Sequence, residues 1–169
     1  MKSANFVVNK QRTDGSWGYS INYATGEERN QIDFHQGYIL DSLHYHRTIS
    51  NDQSDELLNS IKKGLKFYRS RQFKEDGRSL WRIPKEWPVD IHNQAQGIIT
   101  FSRLKEYDEG YLPFANTIAE WTINNMQDKR QGHMIYKKYP THKVRTPMMR
   151  WGQAWMHLAL NELKTANNG

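Results

Sequence analysis

Two stretches of the chain carry apolar residues at helical spacing and end on the same pair of residue types. Between Asp55 and Phe73, Leu57, Leu58, Ile61, Leu65 and Tyr68 share one face, with Ser54 or Asp52 placed to cap the first turn. From Phe114 to Met126 the pattern returns with Ile118, Trp121, Thr122 and Ile123. Both stretches run to a Gln and then a Gly, Gln72–Gly77 and Gln127–Gly132, a common way to stop a helix. Three other stretches, 32–45, 91–104 and 148–163, are apolar almost all round, as expected of helices touched on both sides. The loops between run to roughly 15 to 20 residues and carry Gly, Pro and aromatics, a length that marks functional loops. Within them, Trp81–Ile83 and Met134–Tyr136 are expected to pair briefly as strands.

The punctuation repeats. Gln72 to Trp81 lies over Gln127 to Tyr136 without a gap, with Gln, Gly and an aromatic residue in register. An earlier and tighter copy runs Gln11, Gly15, Trp17. Each copy is followed by a second marker: His35-Gln36-Gly37-Tyr38, Ala95-Gln96-Gly97-Ile98 and Gly152-Gln153-Ala154-Trp155. These markers divide the chain into units of about 1–49, 50–107 and 108–169, each a helix, a loop and a second helix. The fold expected is all-α, built of repeated helix hairpins. The first helix of unit one is short, only Ala4 to Lys10 preceding Gln11, so the chain is expected to begin partway through a repeat.

The Gln11-x-x-x-Gly15-x-Trp17 segment resembles the QW motif of triterpene cyclases. The whole pattern is similar to squalene-cyclase-like proteins of bacterial polysaccharide biosynthesis clusters. The segments that carry the likeness are QRTDGSWGY (11–19), IDFHQGYILDSL (32–43), PVDIHNQAQGI (88–98) and MRWGQAWMHLAL (149–160). The resemblance implies an α/α toroid related to the six-hairpin glycosidase-like toroids, among them uronyl hydrolases, sugar epimerases and polysaccharide lyases. Those proteins bind carbohydrate in a central funnel ringed by about six helix pairs. Three units therefore imply a partial toroid, the C-terminal part of a longer one or a half-sized relative.

Composition narrows the chemistry. The 169 residues include 24 Lys and Arg against 18 Asp and Glu, a net charge of +6, and no cysteine. Disulfide scaffolds, thiolate zinc sites and cysteine nucleophiles are thereby excluded. A basic chain attracts polyanions. Its cations are scattered in small clusters such as Lys62-Lys63, Lys129-Arg130 and Lys137-Lys138, with no nucleic-acid-reading motif, which favours an anionic polysaccharide over nucleic acid. No run approaches the roughly 18 apolar residues of a membrane span, and the first residues lack a signal-peptide core. A soluble, cytoplasmic protein is expected.

The polar residues where the second helices begin are the candidates for chemistry. Aligning Gln36, Gln96 and Gln153 makes Asp33, Asn93 and Arg150 equivalent, and adds His35 from unit one with Asp90 and His92 from unit two. On that alignment the two Asp-x-His pairs stand three residues out of register. The candidate catalytic set is Asp33, His35, Asp90, His92 and Arg150: a carboxylate with a nearby imidazole to move a proton, and an arginine fork to neutralise a uronate. Trp17, Tyr19, Trp81 and Trp151 are candidate sugar-stacking rings, and Gln36, Gln96 and Gln153 candidate substrate-binding amides. Structural roles compete at every position. The two aspartates suit helix caps, the histidines suit ordinary hydrogen bonds, and Gln11, Gln72 and Gln127 suit amides that satisfy loose carbonyls at helix ends and tie neighbouring units. No metal or other cofactor is expected: no His-Glu-x-x-His or calcium loop occurs, His44 and His46 cannot share a helix face, and His157 is expected to be a packed histidine. Two functions fit, a carbohydrate-active or carbohydrate-binding toroid domain of surface polysaccharide assembly or modification, and a non-catalytic interaction module. The second comes from an open arc of repeats with no polar cap at 1–8, for which a homodimer or a larger toroid supplies cover.

Overall fold

The computed structural model describes residues 2–169; Met1, the first residue of the expected uncapped segment, lies outside them. Six α-helices form among the described residues: α1 (Lys2–Asn9), α2 (His35–Ser50), α3 (Asp55–Gln72), α4 (Ile91–Arg103), α5 (Tyr111–Met126) and α6 (Trp155–Asn168). They make three helix pairs, α1–α2, α3–α4 and α5–α6. At the centre stands α4, where every residue from Asn93 to Ser102 is buried. It packs against α2 on one side, α6 on the other, and α5 behind, while α3 covers α2. This explains the nearly all-round apolar pattern of α4. Helix α2 begins three residues later than its apolar pattern suggests and runs on to Ser50, where Asn51 in the left-handed conformation ends it.

The loop glycines show how the pairs stack. Gly15, Gly77 and Gly132 all have positive φ, which L side chains rarely adopt. A Cβ on Gly15 would lie 2.5 Å from the Lys63 carbonyl oxygen of α3, and one on Gly77 2.7 Å from the Thr117 carbonyl oxygen of α5. Each loop is thus pressed onto the first helix of the next unit. Gly132 faces open space, and a Cβ there would meet nothing within 4 Å. Gln11 reinforces the first junction, its amide donating both to Gly15 O and to Ser60 O of α3. Gln72 and Gln127 stay within their own loops, donating to Leu80 O and Gly132 O.

Short strands trim the loops. β1 (Ser20–Ile21) pairs antiparallel with β2 (Glu28–Arg29), and β3 (Val89–Asp90), β4 (Lys137–Lys138) and β5 (Lys143–Val144) form a three-stranded antiparallel sheet. The pairing expected between Trp81–Ile83 and Met134–Tyr136 does not form. The unit-two and unit-three loops meet further along instead, Val89 opposite Lys138 and Asp90 opposite Lys137, leading directly into α4. Helix α6 is entered through a wider π turn at Met149–Ala154, in which Gln153 N and Trp155 N reach back five residues to Met148 O and Arg150 O.

Candidate functional site

The second helices are tied to their loops by one recurring device. In unit one the Gln36 amide holds both sides of the Trp17 backbone, accepting from its N–H and donating to its C=O, each at 2.9 Å. In unit three Gln153 does the same to Met134, at 2.9 and 2.7 Å. In unit two the amide that accepts from Ser79 N is Gln94, at 2.7 Å, with Asn93 donating to Leu80 O and Trp81 O. The equivalent glutamines are therefore 36, 94 and 153, and the alignment on Gln96 is corrected by two residues. On the corrected alignment the two Asp-x-His pairs lie one residue out of register. The amides of Gln36 and Gln153 are occupied by backbone. Gln96 is fully buried, linking Asp41, Thr100 and the Trp155 indole. Trp17, expected as a stacking ring, is only 3% exposed; it donates Nε1–H to Val7 O and its ring abuts Gly64. The polar groups of these four side chains are engaged within the scaffold, and none of the four lines the cleft described next.

Asp33, Asp90, His92, Trp81 and Trp151 do come together. With Phe34, Arg82, Asn93, Tyr136 and Lys137 they line a cleft of about 320 Å³ at the N-terminal ends of α2 and α4. Both aspartates use one oxygen to secure a helix start: Asp33 Oδ1 accepts from His35 N at 3.2 Å, and Asp90 Oδ1 from His92 N at 3.0 Å. Capping leaves each a second oxygen. That of Asp33 accepts from Gln31 Nε2 at 2.7 Å with Arg82 Nε at 3.7 Å; that of Asp90 faces Lys137 Nζ at 3.6 Å. The π turn widens the helix entry so that Trp151 reaches the cleft while Gln153, two residues on, holds the loop.

Three aromatic rings stack through the wall. Phe34 lies between His35 and His92, with ring centres 4.2 Å from each. His35 is bound to the Asp33 carboxylate through Nδ1 at 2.5 Å and meets Tyr19 edge-on, so it sits behind Phe34 and does not line the cleft. Tyr19 is exposed beside it. Arg150, expected as the carboxylate clamp, is also absent from the lining; its guanidinium lies over Trp151, 5.0 Å from the ring centre. The cations that do line the cleft are Arg82 and Lys137. Arg82 follows Trp81 directly in the unit-two loop, a signal present in the sequence but not at a helix start. His157, expected to be packed, is exposed on α6.

The environment separates the proton affinities. Burial pushes the Asp33 carboxyl up, but hydrogen bonds from His35 and Gln31 more than reverse this and hold it below the usual carboxylate range. Burial dominates at Asp90 and raises it, with the His92 N–H and Lys137 pulling only partly back. His92 is lowered to about 4 by burial and by His35, so it is neutral at pH 7. Its Nε2 lies 2.6 Å from Tyr38 Oη, and burial together with Asp41 and Asp33 lifts that phenol to about 12. A protonated Tyr38 donating to Nε2 leaves the imidazole proton on Nδ1.

A second charged group lies deeper between the same helices. Asp41 of α2 meets Gln96 Nε2 at 3.1 Å and Arg103 Nη1 at 3.5 Å, and Arg103 also binds Glu162 of α6 at 2.6 Å. Asp41 Oδ1 is buried without a partner. Among the described residues no group of three or more His, Asp or Glu side chains could hold a metal ion, and no helix is long and apolar enough to cross a membrane.

No family model matches the chain, and no curated protein matches it in sequence. Its fold is that of the α/α toroids. The cellobiose 2-epimerase from Bacillus thermoamylovorans B4167 superposes with a TM-score of 0.75 at 12% identity, over 98% of this chain and 45% of its own. The unsaturated glucuronyl hydrolase from Bacillus sp. GL1, described as responsible for the degradation of glycosaminoglycan, gives 0.73 at 16%, over 96% of this chain and 48% of its own. The GH76 α-mannanase BT2949 of Bacteroides thetaiotaomicron gives 0.59 at 16%, over 84% and 44%. The chain thus spans just under half the length of these proteins and forms a partial toroid.

Proposed function

We propose that this chain is a carbohydrate-active partial toroid that moves a proton at an acidic, uronate-like sugar, in the assembly or modification of a bacterial surface polysaccharide. The observation that carries the reading is the cleft, where two carboxyls of opposite proton affinity lie between Trp81 and Trp151 beside Arg82 and Lys137. Indole faces suit sugar rings, and the paired cations suit a carboxylate. Asp90, raised by burial, is the more basic of the two carboxyls and exchanges the proton with the sugar; Asp33 stays ionised and holds His35. Neutral His92 offers Nδ1–H to a sugar hydroxyl. The carbohydrate-acting names of the similar structures support the substrate class. Selective capture of acidic over neutral glycans on an array is expected, and no capture would overturn the reading. With a turned-over acidic oligosaccharide in hand, D90N should lose about a hundredfold or more in rate, as removal of a general acid or base does; undiminished turnover would remove Asp90 from the role.

A second reading, association with another copy of this chain, is favoured by the stacking geometry. The Gly132 loop presses on nothing, whereas the Gly15 and Gly77 loops each press on a following helix. At the other end, an open apolar groove of about 350 Å³ between α1 and α2 is lined by Ala4, Val7, Ile39 and Leu43 among others. Two copies placed head to tail would seat each free loop beside the other's α1 and give six helix pairs, matching the chain's share of the similar toroids. Light scattering should return twice the chain mass at micromolar concentration; a single-chain mass would remove this reading.

A further inference from the structure

A second hollow of about 260 Å³ adjoins the cleft and shares two residues with it, Trp81 and Arg82. Arg29, Asn30, Gln31 and Lys85 complete its polar lining, and no carboxylate contributes to it. The Trp81 ring is ringed by cations: the Arg82 guanidinium lies 4.6 Å from its centre, and the Lys85 and Lys137 ammonium groups each 5.9 Å away. Arg29 donates to Gln31 Oε1 at 3.0 Å and lies over Tyr19. Among the described residues neither Arg29 nor Lys85 has a carboxylate within ion-pair distance, whereas Arg82 has Asp33 at 3.7 Å and Lys137 has Asp90 at 3.6 Å. Arg29 and Lys85 thus bring two uncompensated charges to the hollow beside the paired Arg82 and Lys137, and such an excess of positive charge suits an anion.

The walls are held from two units. Tyr19 N donates to Arg29 O in the β1–β2 hairpin, Ile83 N donates to Ile32 O across to unit one, and Asn93 fixes the Leu80 and Trp81 carbonyls from α4. The hollow is therefore a built surface that meets the cleft along one indole.

We propose that this hollow is a second sugar subsite, which takes an acidic sugar joined to the residue in the cleft, with Trp81 beneath the linkage and Arg29, Arg82 and Lys85 around the carboxylate. The proposal rests on the reading of the cleft as a uronate site and extends it from one sugar to two. Flat indole at the junction accepts either sugar face, while the cations select charge.

Isothermal titration of the full chain with galacturonate and digalacturonate, with glucuronate and β-1,4-linked diglucuronate, and with neutral glucose and cellobiose tests it. The acidic disaccharide of the accepted series should bind about tenfold more tightly than its monosaccharide, with no such gain for cellobiose. In R29Q/K85Q that gain should shrink to about threefold or less. K85Q alone, at an exposed side chain, should shrink it partway and guards against misfolding of the double variant. A disaccharide gain equal in wild type and variants, no gain at all, or an equal gain for cellobiose would overturn the second subsite while leaving the cleft reading intact. Failure of every uronate to bind would overturn the cleft reading and the subsite with it.

Discussion

Asp33 and Asp41 stand eight residues apart, are 2% and 8% exposed, and ionise in opposite ways. Asp33, at the cleft, is held below the usual range; Asp41, between α2, α4 and α6, is pushed up to about 6, chiefly by burial. Both are buried, but Asp41 is enclosed more deeply by protein, so burial weighs more heavily on it. Donors widen the difference. Asp33 Oδ1 receives His35 N–H and His35 Nδ1, and its Oδ2 receives Gln31. Asp41 Oδ2 shares Gln96 and a long contact to Arg103, and its Oδ1 has nothing. A carboxylate withdrawn from water stays charged when each oxygen is met by hydrogen; otherwise the proton returns. The cleft commits its donors to ionisation, and the interior does not.

Gly37 lies under both regions, so substituting it should have the largest effect. A Cβ there would stand 2.7 Å from Gln96 Cγ and 2.8 Å from Thr100 Oγ1, atoms locked in the α2–α4 seam. G37A is expected to lose about 3 kcal/mol of stability by overpacking, measured by urea unfolding, and to disturb Asp41 and the cleft together. An unchanged unfolding midpoint would mean that the two regions do not share this seam.

Next in size is Asp33. D33N keeps the shape but loses the charge that binds His35 and Gln31, and should cost about 2 kcal/mol at pH 7. Because the folded carboxyl titrates below its unfolded value of 3.8, this stabilisation is present above pH 4 and lost as pH falls through the folded pKa. The gap between wild type and D33N should therefore close in acid. Asp41 gives the opposite slope. Its folded value of about 6 lies above 3.8, so protonation stabilises the fold below that range and the benefit is lost as pH rises through 6. Between pH 5 and 7.5 wild type should lose about 1.4 kcal/mol relative to D41N. Parallel slopes for the two variants would contradict the donor argument.

The repeat was readable in the sequence because the stacking demands particular residues. A loop pressed on the next helix needs Gly at positive φ, and a loop held at both N–H and C=O needs an amide, so Gly15, Gly77, Gln36 and Gln153 recur on schedule. Unit two misled because its Asn-Gln-Ala-Gln-Gly run offers amides at 93, 94 and 96, and only the path of the loop selects Gln94 for the backbone and Gln96 for the seam. The same limit explains the cleft. Asp33, Asp90 and His92 were readable as helix-start residues, and Trp81 and Trp151 as aromatics beside the markers. Lys137 reaches the cleft through the pairing of its strand with Asp90, and Arg82 beside the bond from Ile83 N to Ile32 O of unit one, neither of which a local pattern encodes. Trp17 fits the sequence signature of a sugar platform and of a core residue equally; the neighbouring Gly64, which admits its ring, decides for the core.

The smallest predicted effect separates the arginine that sequence position suggests from the one that geometry supplies. Arg150 shares its place in the repeat with Asp33, each three residues before its glutamine, but its side chain is exposed and lies over Trp151 outside the cleft. R150A should change stability by less than about 0.5 kcal/mol, as exposed substitutions do. Acidic-sugar affinity should move less than about twofold, because an exposed cation in water adds little to binding. R82A removes a guanidinium that stands between two hollows and within reach of Asp33, and should weaken the same ligand by about tenfold, the scale of a charge-assisted contact. Calorimetry on the two variants side by side reads the difference directly. Should R150A prove the weaker binder, the carboxylate clamp would belong to α6's entry turn, and the cations around Trp81 would be left without a role in the central cleft.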